Sequence, residues 1–137
     1  MAKSNTQAAT KAEFRASHRH AKITARKARL VIDLVRGEPV NRALILLDKS
    51  PKRAAVLVGK VVRSAVANAE QKTGGSVDLN QLVVGEARVD EGPLLGGAKR
   101  WRPAARGRAM PYTKRTSHIH IALSAGSPAA DAQTTEG

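Results

Sequence analysis

The sequence predicts an α+β fold in which three amphipathic helices precede two strands joined by a long, strongly basic connection. Three observations carry that reading. Between residues 24 and 72 apolar side chains recur at the spacing of a helix, and from Leu82 onward the spacing drops to two. Residues 92–130 contain no acidic residue, while seven Lys and Arg crowd between Lys99 and Arg115.

Taken in order, residues 1–13 are small and polar without periodicity, and read as a flexible basic leader. Residues 14–124 read as a single globular domain, and residues 125–137, rich in Ala and Thr with no apolar face, as a disordered tail. A strand with poor alternation is expected around Phe14–Ile23. The first helix is expected over Thr24–Arg36, with Thr24 as N-cap and Gly37 as a left-handed C-terminal cap. On its wheel Ala28, Leu30, Val31, Leu34 and Val35 gather on one side, and Arg26, Arg29 and Arg36 on the other. After Gly37-Glu38-Pro39 a short helix, Val40–Leu47, is apolar enough to be largely buried. Ser50-Pro51 then reads as an N-cap and a first-turn proline opening the longest helix, which runs to about Lys72 before Gly74-Gly75. Its apolar arc is Ala54, Leu57, Val58, Val61, Val62, Ala65 and Ala69, and its opposite side carries Lys52, Arg53, Lys60 and Arg63.

In the strands, Val83, Ala87 and Val89 alternate with Val84, Glu86, Arg88 and Asp90, and later Ile119, Ile121 and Leu123 alternate with His118, His120 and Ala122. The connection between them folds back as an extended hairpin over about residues 90–117. With roughly 13 residues per arm at roughly 3.3 Å each, it reaches about 40 Å, too far to be buried in a domain of this size. Long connections of this kind are functional or disordered, and a basic, acid-free arm suits a phosphate-rich environment.

Composition narrows the function. The 137 residues hold 24 Lys and Arg against 11 Asp and Glu, a net charge of +13 that calls for a polyanionic partner. There is no Cys, hence no disulfide, thiolate nucleophile or Cys-held zinc. Phe14, Trp101 and Tyr112 are the only aromatics among Phe, Trp and Tyr, so charge and shape rather than base stacking are expected to dominate binding. No apolar run approaches a membrane span, and a cytoplasmic protein without membrane contact is expected. His18/His20 and His118/His120 form two pairs at strand spacing, which four imidazoles could turn into a metal site; no Cys or carboxylate accompanies them, and the expectation is no metal and no cofactor. No catalytic triad, Walker loop or dinucleotide fingerprint is present, and the chain reads as a non-enzyme.

Six segments then fall into a familiar order: ITARKARLVIDLVRG (Ile23–Gly37), SPKRAA (Ser50–Ala55), SAVANAE (Ser64–Glu70), ARVDEGP (Ala87–Pro93), RWRPAARGRA (Arg100–Ala109) and KRTSHIHI (Lys114–Ile121). Together they resemble the twenty-second family of bacterial large-subunit ribosomal proteins, over about residues 14–124. The resemblance implies three helices packed on a three-stranded antiparallel sheet with a long protruding β-hairpin. It also implies a structural constituent that binds 23S-type rRNA, helps assemble the subunit, and lines the nascent-peptide exit tunnel. Partners would be large-subunit rRNA, other ribosomal proteins and the nascent peptide, with no homo-oligomer; changes in the family's hairpin are associated with macrolide resistance. The expected rRNA contacts on the helices are Arg26, Lys27, Arg29, Arg36, Lys52, Arg53, Lys60 and Arg63. Those on the hairpin are Lys99, Arg100, Trp101, Arg102, Arg106, Arg108, Lys114 and Arg115, with His118 beyond it. The stretch Lys99–Arg108, which includes Pro103, Ala104, Ala105 and Gly107, would form the tunnel-lining portion.

The chain departs from the family pattern in four places. Leu95-Gly96-Gly97-Ala98 is a short insertion, Ala104 stands where Arg is common, Met110–Thr113 replaces a more basic stretch, and Ala25 replaces a helix-opening Pro. On charge alone, a free RNA-binding regulator, a membrane-surface protein and a disordered basic linker stay open as alternatives.

Overall fold

A computed structural model describes residues 14–75 and 77–125. The chain runs β1 (Phe14–Ala21), α1 (Ala25–Ile32), α2 (Val40–Lys49), α3 (Arg53–Thr73), β2 (Leu82–Leu94), β3 (Arg100–Pro103), β4 (Ala109–Tyr112) and β5 (Arg115–Ala125). β1, β5 and β2 form an antiparallel sheet in that order, with β5 in the centre, and β3 and β4 form a separate two-stranded ladder. The α+β class, the helix count and the third strand agree with the sequence. The leader at residues 1–13 and the tail beyond Ala125 lie outside the described residues.

The core lies between the sheet and the helices. Ile119, Ile121 and Leu123 project from the central strand against Val84, Ala87 and Val89 of β2, and α1 and α3 close over them with Val31, Ile32, Val58, Val62 and Ala65. Small residues at Ala54, Ala55, Gly59, Ala65 and Ala69 keep the buried side of α3 low, so its backbone packs close to its neighbours.

Several expectations about these faces need correction. Leu30 and Leu34 are 58 % and 52 % exposed, and Ala25 and Ile32 take their place inside. The apolar arc is narrower than the helical wheel implies: with helical residues ending at Ile32, the buried arc is centred on Ala28, Val31 and Ile32, and Leu30 falls opposite it. Ile45 and Leu46 of α2 are likewise exposed, and only Val40, Ala43 and Leu47 are buried there. Leu57 is half-buried at the margin of the α3 arc. The N-cap of α3 is Lys52 rather than Ser50, and Thr24 occupies the N-cap of α1 without a side-chain capping bond. In β2, Val84 rather than Val83 is buried. The register slips between Val84 and Glu86, so the chain changes face at Gly85, where a Cβ would come within 2.9 Å of the Ser124 hydroxyl.

The free edges of the sheet are closed by side chains and turns. The Gly37 amide donates to the Val84 carbonyl and the Val84 amide to the Glu38 carbonyl. Further along β2 the Arg36 guanidinium donates twice to the Ala87 carbonyl (3.1 and 2.8 Å), and Arg29 twice to that of Val89 (3.3 and 3.1 Å). At the opposite edge the Asn68 amide donates to the Arg15 carbonyl at 2.9 Å. These contacts satisfy backbone groups that would otherwise offer a template for another strand.

Candidate nucleic-acid interface

The basic residues divide into three sets. On α1 and the turn after it, Arg26 and Lys27 point to solvent, whereas Arg29 of the helix and Arg36 of the turn are spent partly on β2, with Arg36 also bridging Asp33 at 3.0 Å. On α3, Arg53, Lys60 and Arg63 share an exposed side with Val56 and Ala67, and Lys52 stands just ahead of them. Arg63 is the exception to a free cationic face, pairing with Asp48 at 2.9 Å.

The third set lies on the hairpin, whose arms do not pair as one continuous ladder. β2 and β5 stay paired as far as Leu94 opposite Arg115, and the Leu95 amide donates to the Lys114 carbonyl at 2.8 Å. Pairing then lapses over residues 96–99 on one arm and at Thr113 on the other, where Gly96 and Gly97 both take left-handed backbone angles. It resumes as Arg100 opposite Tyr112, Trp101 opposite Pro111, Arg102 opposite Met110 and Pro103 opposite Ala109. Because side chains alternate along a strand, Arg100, Arg102, Met110 and Tyr112 share one face, and Trp101, Pro103, Ala109 and Pro111 share the other. Arg102 lies 4.5 Å over the Tyr112 ring, a cation–π contact that holds the guanidinium against the arm. The tip is a tight turn at Ala105–Gly107, closed by the Ala104 amide donating to the Arg108 carbonyl, with Arg106 itself at φ 59. Lys99, Arg100, Trp101, Arg102, Arg106 and Arg108 are all exposed.

At the root of the hairpin, Lys114 and Arg115 meet Lys22, Lys27 and Arg53 around a recess of about 510 Å³. Lys22 is not among the residues expected from sequence; its position in the turn just ahead of a helix start is the available signal. A second hollow, of about 450 Å³ and lined from the sheet and from Ser64 and Asn68 of α3, has mixed charge, combining Arg15 and Arg88 with Glu86. There Arg88 is flanked by Glu86 at 3.6 Å and Asp90 at 3.9 Å.

The histidine pairs do not come together as a quartet. His20 and His118 meet edge to face with ring centres 4.8 Å apart, and the His20 amide donates to His118 Nδ1 at 3.0 Å. His120 instead faces Asp90 at 3.6 Å, and His18 is in register with Ile119. Loss of hydration lowers the His118 pKa from its ordinary value of 6.5, as do, in decreasing order, His20, Arg19 and His120, against a smaller upward pull from Asp90. The shift favours the neutral imidazole, the form in which Nδ1 accepts from the His20 amide. That is a structural duty in addition to any contact with RNA.

Cations spread over two helices and an arm that leaves the core, with few stacked aromatics, define a basic α+β domain with an extended arm, a class suited to embedding in a folded polyanion. Residues 16–124 match the family described as Ribosomal protein L22p/L17e, and the chain belongs to that family. It is a ribosomal protein, not an enzyme, and a structural constituent of the large subunit, with large-subunit rRNA and other ribosomal proteins as partners.

Proposed function

We propose that residues 14–124 act as one rRNA-binding domain that stabilises the assembled large subunit, and that the hairpin over about residues 90–117 lines the nascent-peptide exit tunnel. The observation that carries this reading is the hairpin itself. No residue from Glu91 to Arg115 is buried, and no acid follows Glu91 until Asp131. An arm so placed adds nothing to the core and concentrates charge where only an external polyanion can neutralise it. The two-faced β3/β4 ladder fits a position between rRNA and a tunnel lumen, with Arg100 and Arg102 toward phosphates and the Trp101 and Pro103 side available to a passing peptide. Arg26, Lys27, Lys52, Lys60 and Arg63 supply the contacts of the domain body.

Two measurements test it. Replacing Arg102, Arg106 and Arg108 by Ala should lower the log–log salt dependence of binding to an rRNA fragment by about two to three units. An unchanged slope removes these residues from the phosphate interface. Deleting residues 95–114 and joining Leu94 to Arg115 through Asn-Gly, which suits a two-residue hairpin, should leave a folded protein that enters subunits. Ribosomes carrying it should respond differently to macrolides and to stalling nascent peptides; unchanged tunnel behaviour would refute the tunnel placement.

A further inference from the structure

The recess at the root of the hairpin is built by segments far apart in sequence. Lys22 and Thr24 come from the turn that opens α1, Lys27 from the helix itself, and Arg53 from the first residue of α3. The two arms of the hairpin add Leu95 on one side and Lys114 and Arg115 on the other, just where the ladder lapses. Five of the lining residues are cations and none is acidic. Among the described residues none of the five forms an ion pair. Like charges gathered around one hollow repel one another, so the arrangement is at its most favourable with an anion between them.

Two further features select the kind of anion. α1 and α3 both open at this recess, neither N-cap makes a side-chain capping bond, and neither first turn holds an acid. Their first amides are therefore donors without an anionic side chain of the protein to serve them. Beside the recess lies an apolar notch of about 290 Å³ that shares Ile23, Lys27 and Arg53 with it and adds Leu30, Lys52 and Ala54. This notch gives the 58 % exposed Leu30 a place in the site. A free phosphate would use only the cationic hollow, whereas a nucleotide, with a charged end and a ribose and base, uses both.

We propose that this recess is a clamp for a bent stretch of RNA backbone, with consecutive phosphates facing Lys22, Lys27, Arg53, Lys114 and Arg115 and a ribose or base seated against Ile23 and Leu30. The clamp sits at the break between the two ladders. Beyond the Leu95–Lys114 bond the distal hairpin has no ladder bonds across residues 96–99 and 113 to aim it, so RNA gripped at this point fixes the direction in which it projects. The inference rests on the reading of the domain as rRNA-binding and locates the interaction that orients the arm.

The test uses the full chain and transcribed large-subunit rRNA. Lys22→Gln, Lys27→Gln and Arg115→Gln together should lower the log–log salt slope by about two units, at roughly 0.7–0.9 for each phosphate no longer neutralised. The single Lys22→Gln and Arg115→Gln variants, at exposed positions, should each lower it by about one phosphate's share, so the proposal stays testable if the triple variant folds poorly. Leu30→Ser should weaken binding several-fold with the slope unchanged. In ¹⁵N spectra, a short RNA oligonucleotide should shift the amides of Ala25–Ala28 and Ala54–Ala55 further than inorganic phosphate does at equal charge. A slope unmoved by the recess variants but lowered by the tip triple Arg102/Arg106/Arg108 overturns the clamp and leaves rRNA binding intact. A slope unmoved by either set overturns the underlying reading as well. Equal shifts with phosphate and no effect of Leu30→Ser would mean a simple anion site, and displacement of the RNA by polyglutamate as effective as by competing RNA would mean an acidic protein partner; either result overturns the clamp.

Discussion

Gly92→Ala should destabilise the domain strongly for a substitution that adds one methyl group, and the reason lies in the pairing at the hairpin root. The register slips between Glu91 and Leu94, so Gly92 and Pro93 bulge opposite Thr116. The Thr116 hydroxyl donates to the Pro93 carbonyl at 2.6 Å, and the residue is 3 % exposed. A Cβ at Gly92 would stand 2.5 Å from that hydroxyl oxygen and 3.2 Å from both the carbonyl carbon and oxygen of Thr116. Rotating Thr116 away sacrifices a hydrogen bond worth about 0.5–1.5 kcal/mol, and β-branching resists the rotation. Moving the backbone instead carries the usual cost of overpacking, about 1–3 kcal/mol. Since rotation relieves only the first of these close approaches, the sum is about 2–4 kcal/mol. For a domain of this size that corresponds to a fall in Tm of roughly 8–16 °C, measurable by circular dichroism. Thr116→Ala removes the nearest atom, so Gly92→Ala with Thr116→Ala should be less destabilised than the sum of the single changes by about 1 kcal/mol. Strict additivity, or a Gly92→Ala midpoint within a degree or two of the parent, would refute the idea that close approach requires this glycine.

Three further outcomes follow from the packing and hydrogen bonding. Leu123→Ala, at a fully buried position in the central strand, should cost about 2–5 kcal/mol in chemical denaturation, whereas Leu34→Ala should stay within about 0.5 kcal/mol. Arg36→Lys keeps the charge but loses the paired donation to the Ala87 carbonyl, and should lower stability by about 1 kcal/mol in the same assay. Because the His118 pKa is lowered on folding, its contribution is fully present above the unfolded value near 6.5 and is lost as pH falls through the lower folded value. His118→Asn retains an acceptor for the His20 amide without a proton to gain. Thermal midpoints of the parent should therefore decline below about pH 6.5 more steeply than those of the variant, and parallel curves would refute the assignment.

The elements were legible because their periods differ and their breaks carry glycine and proline: Gly37, Pro51, Gly74 and the switch at Leu82 all sit within a few residues of an observed boundary. The faces were harder to read. Leu30 and Leu34 carry large apolar side chains, and hydrophobicity alone assigns them inward; in the fold Ala28, Val31 and Ile32 pack into the core instead, and Arg29 of the same helix reaches the Val89 carbonyl 60 residues away, contacts that no local window contains. In β2 the change of face at Gly85 depends on a register slip against β5, which is a property of the pair rather than of the strand. The basic site had the same limit. Each cation could be counted in the sequence, but the separation of Arg29 and Arg36, committed to backbone carbonyls, from Lys22 and Lys27, facing a recess, follows only from the fold.

The break in the hairpin divides its stability between two sources. Up to Leu94 and Arg115 the strands belong to a three-stranded sheet with a buried face, and the core holds them. Beyond residues 96–99 the β3/β4 ladder has its own four pairs, the Ala104–Arg108 bond at the tip, an exposed Trp101 and the Arg102–Tyr112 contact. A two-stranded ribbon without a third strand or a helix to cover it is marginal in water. Its order must therefore come largely from what surrounds it, and its seven nearby cations make an RNA environment the strongest available source. Substitutions between residues 96 and 113 should consequently change what the arm touches without changing whether the domain folds, and substitutions at Gly92, Thr116 or Leu123 should do the reverse.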